Sequence, residues 1–180
     1  MSISTRMIDN PVIYFSVTAI FTAVVAVVTM FFIIPIPATN GYFNLGDTMV
    51  MLAGFLLGPL GGAIAGAVGS TISDMFLAPI YAPATFIIKG LEGFIVGYIA
   101  NPKKIYKKFQ ARDVIATAIA GTEMVLGYFI YEIILYGIAP ALVEIPMNIM
   151  QAVIAIIVAI ASITTLRVSL GDLLQSDNTE

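Results

Sequence analysis

Residues 11–34 read PVIYFSVTAIFTAVVAVVTMFFII and contain no Asp, Glu, Lys or Arg. At 1.5 Å of rise per residue, about 20 apolar residues cross a hydrocarbon core roughly 30 Å thick. The run is too long for the apolar part of a cleaved leader, and no small-residue cleavage site follows it, so it reads as a retained span. The rest of the chain has the same character. Hydrophobic residues make up 59% and charged residues 11%, against roughly 25% charged in a soluble domain. A bilayer lets so much apolar surface stay outside.

With loops included, 180 residues hold about six helices. The reading is an all-α integral membrane protein of the cell membrane, a six-transmembrane-helix bundle in one domain. Residues 1–10 form a cytoplasmic N-terminus, 11–166 the bundle and 167–180 a polar cytoplasmic tail. The first span ends at Pro35-Ile-Pro37. The second, Asp47 to Leu57, turns at Gly58-Pro59, and the third runs from Leu60 to Leu77. The fourth spans Ala84 to Ala100, the fifth Val114 to Tyr136, and the sixth Ala141 to Leu166 with a bend near Pro146. The second is short: residues 45–77 fall below the roughly 40 that two crossings need. It is either a short tilted helix or a re-entrant one.

Basic residues set the orientation. Lys103, Lys104, Lys107, Lys108 and Arg112 all lie between the fourth and fifth spans, Arg6 precedes the first and Arg167 follows the last. The positive-inside rule puts them in the cytoplasm, with both termini inside. Loops 35–46, 78–83 and 137–141 then face outward, and none holds a Lys or Arg. A re-entrant second span would separate the termini, against this pattern.

Several functions are excluded. The chain has no Cys, His or Trp, so thiolate or imidazole metal sites and His-based triads are out. It has no phosphate-cradling G-x-x-x-x-G-K-[ST] loop and no basic nucleic-acid footprint. No catalytic residue, metal or cofactor is expected, and no paired-carboxylate motif suggests an enzyme.

Ionisable groups inside apolar spans ask for a reason, since each costs roughly 2.5–3.5 kcal/mol at the bilayer centre on insertion scales. Lys89 and Glu92 share a helix face and can pair. In the six-span orientation Thr85 and Lys89 sit in the outer half of the fourth span, beside Glu92. The fifth span offers Glu123, Gly127 and Tyr131 on one stripe, with Tyr128 and Glu132 further round the helix. The sixth adds Asn148 and Gln151, three apart. Amide, carboxylate, ammonium and phenol groups thus converge on one outward-opening volume, as a small flat heterocycle requires. The first outer loop, with Asn40-Gly41-Tyr42-Phe43-Asn44, is either a lid over that volume or an aromatic anchor at the headgroups. Small residues recur at Gly54, Gly58, Gly62, Gly66 and Ser70. Ala19, Ala23 and Ala26 form a smooth stripe on the first span. Such stripes serve close packing within the bundle or docking of a membrane partner.

The run Gly41-Tyr-Phe-Asn-Leu-Gly-Asp47, then Leu52-Ala-Gly-Phe-Leu-Leu-Gly-Pro59, Gly62-Ala-Ile-Ala-Gly66, Gly69-Ser70 and Asp74, resembles energy-coupling-factor S subunits. Ala82-Pro-Ala-Thr-Phe-Ile-Ile-Lys-Gly-Leu-Glu-Gly93 extends the likeness, which is strongest over residues 12–100 and points to the riboflavin-transporter-related branch. The resemblance implies a six-helix protein that binds a vitamin or its precursor from outside. It implies a partnership with a T-component membrane subunit and two ATP-binding subunits, and release by toppling of the S subunit in the bilayer. It implies a site built from the first outer loop and spans four to six: Asn44, Thr85, Lys89, Glu92, Glu123, Gly127, Tyr131, Asn148 and Gln151. It implies T-subunit docking through an A-x-x-x-A motif, matched by Ala19 and Ala23, with Ala26 one turn on. Members with a ring of Trp or a His at the ligand differ from this chain, which has neither. The competing reading is a self-sufficient secondary transporter or channel, coupled through Glu92, Glu123 and Lys89; no inverted repeat supports it.

Overall fold

The computed structural model describes residues 10–100 and 110–176. The basic positions Arg6, Lys103, Lys104, Lys107 and Lys108 lie outside the described residues. Helix α1 (Pro11–Phe31) starts at Asn10, whose Oδ1 accepts the Val12 and Ile13 amides at 3.0 and 3.4 Å, with Pro11 in the first turn. These are the capping preferences of a helix N-terminus. Strands β1 (Ile33–Ile36) and β2 (Gly41–Asn44) follow. Helix α2 is Gly46–Leu77, α3 Ala82–Ala100, α4 Ala111–Tyr136 and α5 Ile138–Ser176. Among the described residues five helices are long and apolar enough to cross a membrane, and the protein is a multi-pass membrane protein.

The expected first outer loop is an antiparallel hairpin, with Ile33 opposite Asn44 and Ile36 opposite Gly41. Its β-branched Ile33-Ile34 favours strand, and Asn40 turns the chain at φ 55° just before Gly41.

The expected second and third spans are two arms of α2, joined at Gly58 (φ 82°, ψ −171°) and followed by Pro59. The arms fold back on each other. Gly54 lies beside Gly62, and Val50 beside Gly66, although eight and sixteen residues separate them in sequence. A straight helix would put Gly54 and Gly62 about 12 Å apart. The Tyr14 hydroxyl donates to the Leu57 carbonyl at 3.2 Å, tying α1 to α2 beside this break. Arm 46–57 is about 18 Å long at helical rise, shorter than the hydrocarbon core.

Glycine sets the spacing of α2 and α3. The Gly62 and Gly93 backbones meet so closely that a Cβ on either would strike the other's carbonyl group. Each helix packs on the next in sequence, and α5 closes back onto α2. One apolar core joins Met51, Phe55, Val96, Ala120 and Ile163 near the Gly58 end. Another ties α1 to α2 through Val25, Val50 and Ala65. Helix α5 continues to Ser176, where the sequence suggests a polar tail from residue 167; Leu170, Leu173 and Leu174 favour helix there.

Candidate functional site

The β-hairpin, segment 78–81 and the α4–α5 junction at Gly137 meet at one end of the bundle. The Tyr81 hydroxyl donates to the Thr39 carbonyl at 3.1 Å, and the Tyr131 hydroxyl to the Ile80 carbonyl at 2.6 Å. Thr39 Oγ1 donates to Glu144 Oε2 at 2.6 Å. Gly58 sits at the opposite end against Gly97.

Three polar layers lie beneath the hairpin. The deepest is an ion cluster, in which the Lys89 ammonium pairs with Asp47 Oδ1 and with Glu92 Oε2, the latter at 3.1 Å. All three side chains are buried. Lys89 also lies 5.4 Å from the Tyr128 ring centroid, within cation–π range. Above it, Gln151 donates through Nε2 to Asp47 Oδ2 at 3.0 Å and accepts the Asn44 amide at 2.7 Å. One side chain of α5 thereby couples the hairpin to the ion cluster. In the outer layer Asp74 accepts the hydroxyls of Tyr42 and Thr85, and Thr85 is 2.9 Å from the Tyr128 hydroxyl. Burial raises the Tyr42 phenol above its ordinary range, and the Asp74 charge adds to this. Tyr81 is raised by burial in the same way. Both phenols therefore stay protonated and able to donate.

A cavity of about 30 Å³ lies among these layers. The hairpin lines it with Gly41, Tyr42 and Asn44. Asp74 and Tyr81 come from α2 and the segment after it, Tyr128 and Glu132 from α4, and Glu144, Asn148 and Gln151 from α5. Two buried polar atoms of this lining, Glu132 Oε2 and Asn148 Nδ2, close no hydrogen bond at normal geometry, although the two side chains face each other. Native proteins leave few such atoms, because each costs about 1–3 kcal/mol of desolvation. Among the described residues no group of three or more His, Cys, Asp or Glu is arranged to hold a metal ion.

Of the residues singled out from sequence, Asn44, Asn148 and Gln151 line the cavity. Lys89 and Glu92 lie in the ion cluster beneath it, and Thr85 bonds to Asp74 of its lining. Tyr131 stands beside Tyr81, ring centroids 5.9 Å apart. Glu123 and Gly127 do not line this cavity. They border a separate groove of about 610 Å³ on α4, with Thr122, Leu126 and Ile130. The rotation of α4 explains this. Its buried stripe is Asp113, Ala116, Thr117, Ala120, Gly121 and Met124, and one further helical step reaches Tyr128 and Glu132. The small residues Ala116, Ala120 and Gly121 were the signal for that face. Glu144 drew no attention in the sequence because it sits alone, beside Pro146 in an apolar stretch. On α1, Ala19 and Ala23 are exposed, whereas Ala26 is buried and its carbonyl accepts the Ser73 hydroxyl at 2.9 Å.

Residues 11–167 match the family model described as ECF-type riboflavin transporter, S component. A Pyrococcus woesei protein described as an uncharacterized protein in the gap 3' region is 44% identical over 134 residues, 74% of this chain and 88% of that protein. Among solved structures, FolT bound with folic acid has the same fold with a TM-score of 0.60 and 21% identity, covering 79% of this chain and 86% of that one. A family match over nearly the whole bundle, joined to a multi-pass helical fold, assigns the chain to the ECF-type riboflavin transporter S component family.

Proposed function

We propose that this chain is the substrate-binding subunit of an ATP-driven importer, capturing a vitamin or vitamin precursor at the outer face of the cell membrane. It releases the ligand inside together with a T subunit and two ATP-binding subunits. The observation that carries this reading is the polar cavity under the hairpin, lined by Asn44, Glu132, Asn148 and Gln151 among others, in which Glu132 Oε2 and Asn148 Nδ2 close no hydrogen bond at normal geometry. Counting both arms of α2, six segments lie in the membrane with both termini inside. The absence of Lys and Arg from the loops at the hairpin end supports turning that end outward.

The hairpin acts as the lid. A cavity of about 30 Å³ is far below the roughly 300–1,000 Å³ of small-molecule pockets, so a heterocycle enters only when a wall moves. The hairpin is the wall fastened by a few side-chain hydrogen bonds, through Thr39, Tyr42 and Asn44. Asn44, Asn148 and Gln151 then face the ligand, while Lys89 and Glu92 hold the floor and Thr85 holds Asp74 in the wall. The outward small face of α1 at Ala19 and Ala23 docks the T subunit.

Reconstitution in liposomes tests this. The purified chain should bind a vitamin and transport none under ion gradients, with uptake appearing only when the T and ATP-binding subunits and ATP are present. Gradient-driven uptake by the chain alone would overturn the proposal in favour of a secondary transporter. Ala19→Trp should keep ligand binding and abolish co-purification with the T subunit; a retained complex would refute the docking face.

A further inference from the structure

We infer that the cavity selects a positively charged amino-heterocycle, a flat ring with amino N–H donors beside a ring-nitrogen acceptor, over ligands bearing carboxylates. This rests on the reading of the cavity as a vitamin site.

Charge is the first ground. Asp74, Glu132 and Glu144 all line the cavity, and no Lys or Arg does so among the described residues. The buried ammonium of Lys89 is not free to receive an anion. It is held between Asp47 and Glu92, so two carboxylates already face one cation. A carboxylate-bearing ligand would meet three acids and no uncommitted cation, whereas a cation would be drawn to the same acids in a site of low dielectric.

The second ground is the hydrogen-bonding pattern of the lining. Glu132 is 1% exposed and Asn148 8% exposed. The other two acids are partly engaged: Asp74 by Tyr42 and Thr85, Glu144 by Thr39. Glu132 and Asn148 face each other, but Glu132 Oε2 and Asn148 Nδ2 close no hydrogen bond at normal geometry, which leaves an acceptor and a donor side by side. A ring edge with an amino group next to a ring nitrogen offers both. The rings of Tyr81 and Tyr128, 6.2 Å apart and tilted by 55°, border the same cavity and present faces that attract a flat cation.

Calorimetric titration of the detergent-purified chain tests the inference with three probes. Thiamine is a cation bearing an aminopyrimidine, riboflavin carries no net charge, and folic acid carries carboxylates. Thiamine should bind at least about tenfold tighter than the others. Glu132→Gln, which keeps the shape, should weaken thiamine at least about tenfold, the worth of one charge-assisted hydrogen bond. Glu144→Gln should weaken it in the same direction, with both variants eluting as the native protein. Tighter binding of riboflavin or folic acid, or full thiamine affinity in Glu132→Gln, would overturn the inference and leave the importer reading standing. Failure of all three probes in a chain that still co-purifies with the T subunit would also overturn the inference alone. Failure of binding and co-purification together would overturn the importer reading as well.

Discussion

Lys89 shows how a single side chain both costs and organises. An unpaired ammonium at this depth would be expensive, and two carboxylates with Gln151 alongside offset that cost. Removing one member of a buried ion cluster typically costs about 3–5 kcal/mol, mostly because the remaining charge is left unpaired. Lys89→Ala should therefore lower the thermal unfolding midpoint in detergent more than Thr122→Ala on the exposed side of α4; equal midpoints would mean that the cluster is not a structural hub. Lys89 and Glu92 were legible as a pair from their spacing of three. Asp47 was not legible as their partner, because the fold-back of α2 brings it across from a distant part of the chain. Glu144 was invisible for a related reason, since its role depends on Thr39 reaching it from the hairpin.

At the scale of elements, glycine and the hairpin decide the geometry. Gly93→Ala would press a methyl into the Gly62 backbone, whereas the same change at Gly90 meets the Ala67 Cβ at 3.2 Å. Overpacking against rigid backbone costs about 1–3 kcal/mol. Gly93→Ala should lower the unfolding midpoint and Gly90→Ala should change it little, as a thermal melt of each variant would read. The small-residue stripe was plain in the sequence, and its use for close helix approach follows from residue size alone. The hairpin was hidden by Pro35 and Pro37, which read as loop. Tyr42 and Thr39 fasten it, so Tyr42→Phe should speed ligand dissociation about tenfold, the loss of one hydrogen bond to a charged group. Stopped-flow release at the native rate would contradict a latch at Tyr42.

At the scale of the whole molecule, the multi-pass helical fold was legible because lipid demands long apolar helices and little else. The rotation of α4 was not. A helix in lipid has no polar face to mark its outside, so the sequence favours the stripe through Glu123, whereas packing of Ala116, Ala120 and Gly121 turns the stripe through Tyr128 and Glu132 toward the cavity. The account as a whole stands on the hairpin end facing outward, with a vitamin entering beneath it. The chain has no Cys, so Ala38→Cys, exposed in the hairpin turn, carries the only thiol. A membrane-impermeant maleimide applied to intact cells should label it at once. Labelling that appears only after the membrane is permeabilised would put the cavity on the cytoplasmic side and contradict the account.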